Sequence, residues 1–285
     1  MSLTALQKAN YSGFPKPGEL IEISGTHGLE ASDRAILNLL YEHAHTSGLF
    51  TQPVGGEWEI PLARLRPSKH ESNDRLRGSL DRLMRVIASV PYIDGAGASR
   101  VLKTHLFDFF DVPGDNAQSI LRFGLPKKLL PVLARSNRWG RIKAEVVCAM
   151  SSRYAIALYE LVQLRASMDR CIETMPIARF RDLLGVPPGA YSRGNNFQQK
   201  VLCPAVLEVN GLSDMGVAIE VKRRGPRSPI DAVVLSWWRQ TGDEFRAVVQ
   251  ERDKSKVGRA ARLRGEVETV TPMRQTDLEE FLKGA

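Results

Sequence analysis

Cysteine is scarce. The 285 residues hold three, Cys148, Cys171 and Cys203, far apart and with no CxxC pair. That excludes a disulfide framework and a thiolate metal site, and leaves reduced thiols in or near a core as the expectation. Long apolar runs are also missing: none approaches the roughly 18 residues that cross a bilayer. The first residues, MSLTALQKANYSGFPKPGE, contain no apolar signal core. A cytoplasmic protein with no membrane partner is therefore expected. No GxxxxGK(S/T) phosphate loop is present, which argues against ATP hydrolysis. His70-Glu71 lacks the second histidine of a zinc protease, and Gly25-Thr-His-Gly28 reads as a turn. The expectation is no catalytic residue, no bound metal and no cofactor.

Acidic charge is in short supply too. Lys and Arg number 40 against 32 Asp and Glu, a formal charge of +8 with a pI near 9.5. Such an excess suits an anionic partner, nucleic acid or acidic lipid. It is concentrated between Lys222 and Arg264, in KRRGPR and then RDKSKVGRAARLR, before TDLEEFL turns acidic.

What the chain does have is length for two domains, 43% hydrophobic residues for their cores, and an internal repeat. Residues 33–43 (DRAILNLLYEH) and 152–162 (SRYAIALYELV) are both amphipathic at helical spacing. EIPLARLR (59–66) matches TMPIARFR (174–181), with Pro61 or Pro176 at the expected first helical position. A second amphipathic helix follows in each half, at 72–90 and within 183–210. Strand-like pairs come next: 100–110 with 118–125, and 216–224 with 229–238. Helices followed by a two-stranded hairpin is the order of a winged helix. The spacing of about 115–120 residues between copies is a domain length and excludes a solenoid repeat. The fold class expected is α+β, two tandem winged-helix domains, each a helix-turn-helix plus β-wing.

The second copy carries the candidate site. On a helical wheel Phe197, Val201, Leu202, Ala205 and Val209 fall within an arc of about 140°. Opposite lie Asn196, Gln199, Lys200 and Cys203, with Ser192, Arg193 and Asn195 at the entry and no acid before Glu208. Mostly uncharged polar side chains of this kind hydrogen-bond base edges, whereas an ordinary exposed helix carries Glu/Lys pairs. Lys222, Arg223, Arg224 and Arg227 on the adjoining wing would grip phosphates. Pro204 inside the helix is expected to kink it, bending its C-terminal half onto the core.

SSRYAIALYELV, MPIARFRDLLGVPPGAYSRGNNFQQKVLCPAVLEVNGLSD and VKRRGPRSPIDAVVLSW together resemble the plasmid replication initiators of the RepB/RepE/RepA type, the initiator Rep 3 family. LYEL, LR-x-LLG-x-P-x-G-x-Y and F-x-x-x-VL-x-PA-x-x-E-(I/V)-N are present, except that Phe180 replaces the usual leucine. Gly194 also departs from relatives that carry a large or basic residue there. The similarity runs from about Phe123 to Trp238; the first half matches through its expected architecture alone.

The resemblance implies a sequence-specific double-stranded DNA-binding protein. Its monomers bind direct origin repeats (iterons) and open the origin, and its dimers repress their own gene at an inverted repeat. Host partners implied are the initiator, the helicase and a sliding clamp. By domain, 1–20 is an N-terminal tail, 21–138 the first winged helix with the dimer surface and accessory DNA contacts, 139–246 the main DNA-binding winged helix, and 247–285 a basic then acidic tail. Within that tail, Gln275, Leu278 and Phe281 are spaced as in sliding-clamp-binding peptides, and equally as in a short amphipathic helix. Two rivals remain. One is a transcription regulator of the same fold. The other is a rolling-circle nickase, suggested by His43-Ala44-His45. On a helix those histidines point about 200° apart, which fits a helix C-terminus better than a shared metal.

Overall fold

The computed structural model describes residues 13–50, 56–66, 72–114, 119–225 and 228–266. The chain begins with β1 (Phe14–Pro17), α1 (Gly18–Ile21), α2 (Ala31–Thr46), β2 (Glu57–Pro61), a 3-10 turn (Leu62–Leu65) and α3 (Asn73–Arg85). Strands β3 (Ile87–Ile93), β4 (Ser99–His105), β5 (Phe109–Asp111) and β6 (Ile120–Gly124) follow. After α4 (Leu130–Ala134), β7 (Trp139–Ile142) and α5 (Ala144–Ala149) the pattern restarts with α6 (Arg153–Arg165), β8 (Ile172–Pro176) and α7 (Ile177–Leu184). The next helix consists of α8 (Gly194–Phe197), a π turn (Gln198–Leu202) and α9 (Cys203–Leu212). It leads to β9 (Met215–Arg223), β10 (Ile230–Arg239), α10 (Gly242–Asp253) and α11 (Arg259–Leu263).

The two halves share one antiparallel scaffold, β2-β6-β5 in the first and β8-β10-β9 in the second. The repeated prolines close the first strand of each. Pro61 (φ −58°, ψ 129°) and Pro176 (φ −56°, ψ 139°) are helix N-caps with extended ψ, one position earlier than the sequence suggests. In the first half only a 3-10 turn follows, where α7 stands in the second.

The first half departs further from expectation. Its second helix stops at Arg85 instead of 90, because Val86 turns extended and IASVPYI alternates as a strand. That strand, β3, takes Ser99–His105 as its partner. Only Phe109–Asp111 remains to pair with β6 as a wing. The first domain is thus a winged helix with a hairpin inserted before the wing.

Neither end is simply a tail. Pro15 and Pro17 suggest a loop, yet β1 pairs with β7, an edge position that tolerates proline. At the other end α10 and α11 pack beside α9. Glu251, buried, meets Arg262 (2.7 Å), Arg259 (3.5 Å) and Lys254 (3.6 Å). The clamp-like segment 275–281 lies outside the described residues, as do residues 1–12 and His70-Glu71.

α6 joins the halves. Ser152 caps its start through Tyr154 and Ala155, and every residue from Tyr154 to Arg165 is buried. A helix buried on all sides belongs at a centre, and one apolar cluster runs through both domains around it. Its polar residues find partners across the boundary. Glu160 accepts from Lys16 (2.8 Å) and from Asn38 (2.6 Å). Arg165 donates to Glu22 (2.7 Å), which also accepts from Arg138 (2.9 Å). Burial lowers the Lys16 ammonium from its ordinary pKa despite the pull of Glu160. Burial pushes the Glu22 carboxyl up, but the hydrogen bonds and charges of Arg138 and Arg165 outweigh it and hold the group below its ordinary range. These pairs hold the two halves in one frame. Among the described residues, no helix is long and apolar enough to cross a membrane.

Candidate nucleic-acid interface

The candidate helix divides as its wheel predicts. Phe197, Val201, Leu202, Ala205 and Val209 are all buried. Ser192, Arg193, Asn195, Asn196, Gln199, Lys200 and Cys203 are all exposed. Pro204 follows a local widening of the helix. The turn before it widens to a π turn, in which the Cys203 N–H reaches the Gln198 carbonyl, and the helix continues to Leu212. A π turn gives the proline ring room that a regular i−4 contact denies it.

The loop before the helix is held by groups the sequence reading missed. Gly185 ends α7 at φ +68°, and a Cβ there would lie 2.5 Å from the Arg34 guanidinium of the first domain. Glycine is required on both counts. Tyr191 sits at φ +50°, the one positive-φ residue other than glycine among the described residues. Arg181 stacks 4.8 Å over the Phe197 ring and donates to the carbonyls of Ala190 and Tyr191. The signal for Arg181 was available in the R-x-LLG motif.

Other motif residues prove equally internal. Glu208 accepts from the N–H groups of Ser151 and Ser152, both 3.0 Å, at the start of α6. Asn210 pairs with both backbone groups of Val217 on β9 (2.7 and 3.0 Å). The Tyr159 hydroxyl accepts from the Lys143 N–H at 3.2 Å. These motif residues are all held by contacts within the fold.

On the wing, Lys222 and Arg224 are exposed and Arg223 is half-buried. Arg224 sits 3.6 Å from Asp231, a loose pair at 83% side-chain exposure. Arg223 makes an internal contact from the wing. Its guanidinium donates to the Ser228 carbonyl (2.7 Å), and a Cβ on Gly194 would come within 2.6 Å of it. It braces the wing against the start of the helix, which accounts for a small residue at Gly194. Arg227 lies outside the described residues.

His43 and His45 end α2. The His43 Nε2 lies 2.7 Å from the Glu59 carbonyl, while the His45 ring packs near Tyr41 and Phe50, where burial lowers its pKa. The two rings therefore serve separate contacts. Cys171 and Cys203 are exposed and Cys148 half-buried, so the thiols are nearer the surface than expected.

Fold and site together define a protein of two tandem winged-helix domains. Residues 176–237, in the second domain, match the family model described as initiator Rep protein, WH2, in agreement with the resemblance. Among solved structures, the chain is similar to one described as the crystal structure of Pi initiator protein in complex with iteron DNA. The TM-score is 0.59 at 14% identity, covering 82% of this chain and all of that one. No curated protein matches the sequence.

Proposed function

We propose that this protein is a plasmid replication initiator that binds double-stranded origin repeats through residues 192–203 and the adjoining wing. The observation that carries this reading is the division of helix 194–212. Its apolar arc is spent on the core, and Asn195, Asn196, Gln199, Lys200 and Cys203 form an exposed row beside cationic Lys222 and Arg224. Such a helix enters a major groove with its first turns, reading bases with amide and ammonium groups while the wing holds phosphate. The initiator Rep match over the same residues supports it, as does the likeness to a chain whose structure was determined with iteron DNA.

In this reading, monomers on direct repeats open the origin in the cytoplasm, drawing on binding energy to deform A·T-rich DNA and leaving helicase work to host proteins. A dimer represses the gene at an inverted repeat. Support for self-association comes from the β3–β4 hairpin, whose outer face exposes Ile87 (58%), Ile93 (62%) and Val101 (61%).

Footprinting the purified chain on DNA flanking its own gene, with a mass measurement in solution, tests the proposal. Protected direct repeats are expected; protection without sequence preference would overturn it. Gln199→Ala should weaken a matched repeat by about 1–3 kcal/mol and spare a scrambled one. Equal loss on both would remove this helix from recognition.

A further inference from the structure

The recognition helix has a second cationic neighbour, at the opposite end from the wing. A cleft of about 340 Å³ opens between its exposed side and the C-terminal helix α11. Gln199, Cys203, Leu207 and Glu208, whose carboxylate is held by the N–H groups of Ser151 and Ser152, form one wall; Lys256 and Arg264 are on the other. Two of these residues, Gln199 and Cys203, belong to the exposed row assigned to bases. The stretch 252–264 holds six cations, Arg252, Lys254, Lys256, Arg259, Arg262 and Arg264, against a single acid, Asp253.

This stretch is seated firmly. Arg259 is buried and donates to the carbonyls of Ala149 (2.8 Å), Glu251 (3.1 Å), Arg252 (3.2 Å) and Lys254 (2.8 Å). Arg262 is bound to Glu251 and to the Val257 and Ser255 carbonyls. Lys256 donates to the Cys148 carbonyl at 2.7 Å, and Arg264 pairs with Glu266 at 2.8 Å with half its side chain exposed. Arg259 and Arg262 thus anchor the module, while Lys256, held by the Cys148 carbonyl, and Arg264, held by Glu266, line the cleft.

The wing brace at Gly194 and the cleft at Cys203 are nine residues apart along the helix, roughly 13 Å at 1.5 Å per residue. A major groove is about 12 Å wide between its phosphate walls. We infer that the α11 segment is a second phosphate clamp: with the first turns of the helix in the groove, Arg224 meets one sugar-phosphate wall and Lys256 with Arg264 meet the other. The inference rests on the DNA-binding reading above and extends it beyond residues 176–237. A phosphate would displace the exposed Glu266 carboxylate from Arg264, exchanging one anion for another.

Fluorescence anisotropy of the full chain on a matched repeat and on a mixed-sequence duplex, across about 50–200 mM salt, tests it. The double variant Lys256→Ala/Arg264→Ala should bind both duplexes several-fold more weakly. Its slope of log Kd against log salt should be smaller by about 1.8, or 0.9 per lost phosphate contact. Glu266→Gln should move the other way and tighten both, a result that misfolding cannot mimic. A double variant with the wild-type slope, or a Glu266→Gln chain bound no more tightly than wild type, overturns the clamp while leaving the recognition helix standing. A wild-type chain that binds neither duplex overturns the DNA reading itself.

Discussion

Two winged helices built on the same three-stranded scaffold present different faces to solvent. In the second domain the exposed row from Asn195 to Cys203 carries amides and one ammonium, and its first acid, Glu208, is turned inward onto Ser151 and Ser152. In the first, α3 exposes Asp74, Arg75, Arg77, Asp81 and Arg85 together. Its Arg82 is held by the buried Asp33 in a two-pronged contact of 2.7 and 2.8 Å. On the proposed DNA reading, the amide row of the second helix suits base edges, while on α3 only the arginines could meet the backbone, since the carboxylates beside them repel phosphate. The insertions differ likewise. The first domain spends its extra chain on an apolar-faced hairpin, the second on a cationic α10–α11 module. A shared scaffold fixes where a helix is offered; the residues on its outer side decide what it can hold.

That contrast can be broken first at the joint between the domains. Glu160→Ala leaves the buried Lys16 without its counter-ion, which should cost about 3–5 kcal/mol. Urea denaturation should show a lower midpoint and separate the two domains into distinct transitions; an unchanged single transition would mean the domains do not depend on this pair.

Next in size is the acid response of the same joint. Glu22 titrates lower folded than unfolded, so its contribution is complete above the unfolded value of about 4.3. It is lost as pH falls through the folded value. The stability gap between wild type and Glu22→Gln should be full at neutral pH and close as pH falls below the ordinary carboxylate range. A gap independent of pH would remove Glu22 as its source.

The contrast in reading then sharpens on DNA. Lys200→Ala should cost about 1–3 kcal/mol on a matched repeat alone. Arg75→Ala, on α3, should weaken all sequences alike and lower the salt slope by about 0.9. Sequence-selective loss at Arg75 would erase the distinction between the domains.

The smallest effect is expected at Gly194. Its added methyl in Gly194→Ala needs only the flexible end of Arg223 to move. Stability should change by under about 0.5 kcal/mol, while hydrogen exchange at the wing tip near Ser228 should quicken as its brace loosens.

Much of this was legible in the residues. The apolar arc of helix 194–212 and the strands of the second wing follow from periodicity, and local periodicity is what sequence reports. The β3–β4 hairpin was hidden because Ile87 and Val90 continue the apolar spacing of α3. The choice of strand partner for Ser99–His105 is a long-range matter. β1 was hidden by its prolines. The brace at Arg223, the stack of Arg181 on Phe197 and the pairing of Lys16 with Glu160 each join residues far apart in sequence or across a turn. Spacing has no voice in such contacts. The motif residues Glu160, Gly185, Glu208 and Asn210 all make contacts or turns within the fold, so the motif reports architecture.

The burial of α6 from Tyr154 to Arg165 has a consequence for the DNA itself. With both domains packed on one helix by apolar contacts and ion pairs, a chain that touched DNA through both of them, as proposed, would act as a ruler of fixed length and phase. B-DNA turns once in about 10.5 base pairs. Inserting half a turn between the segments touched by the two domains would carry one of them to the far side of the duplex, whereas inserting a full turn would restore its direction and leave it out of reach.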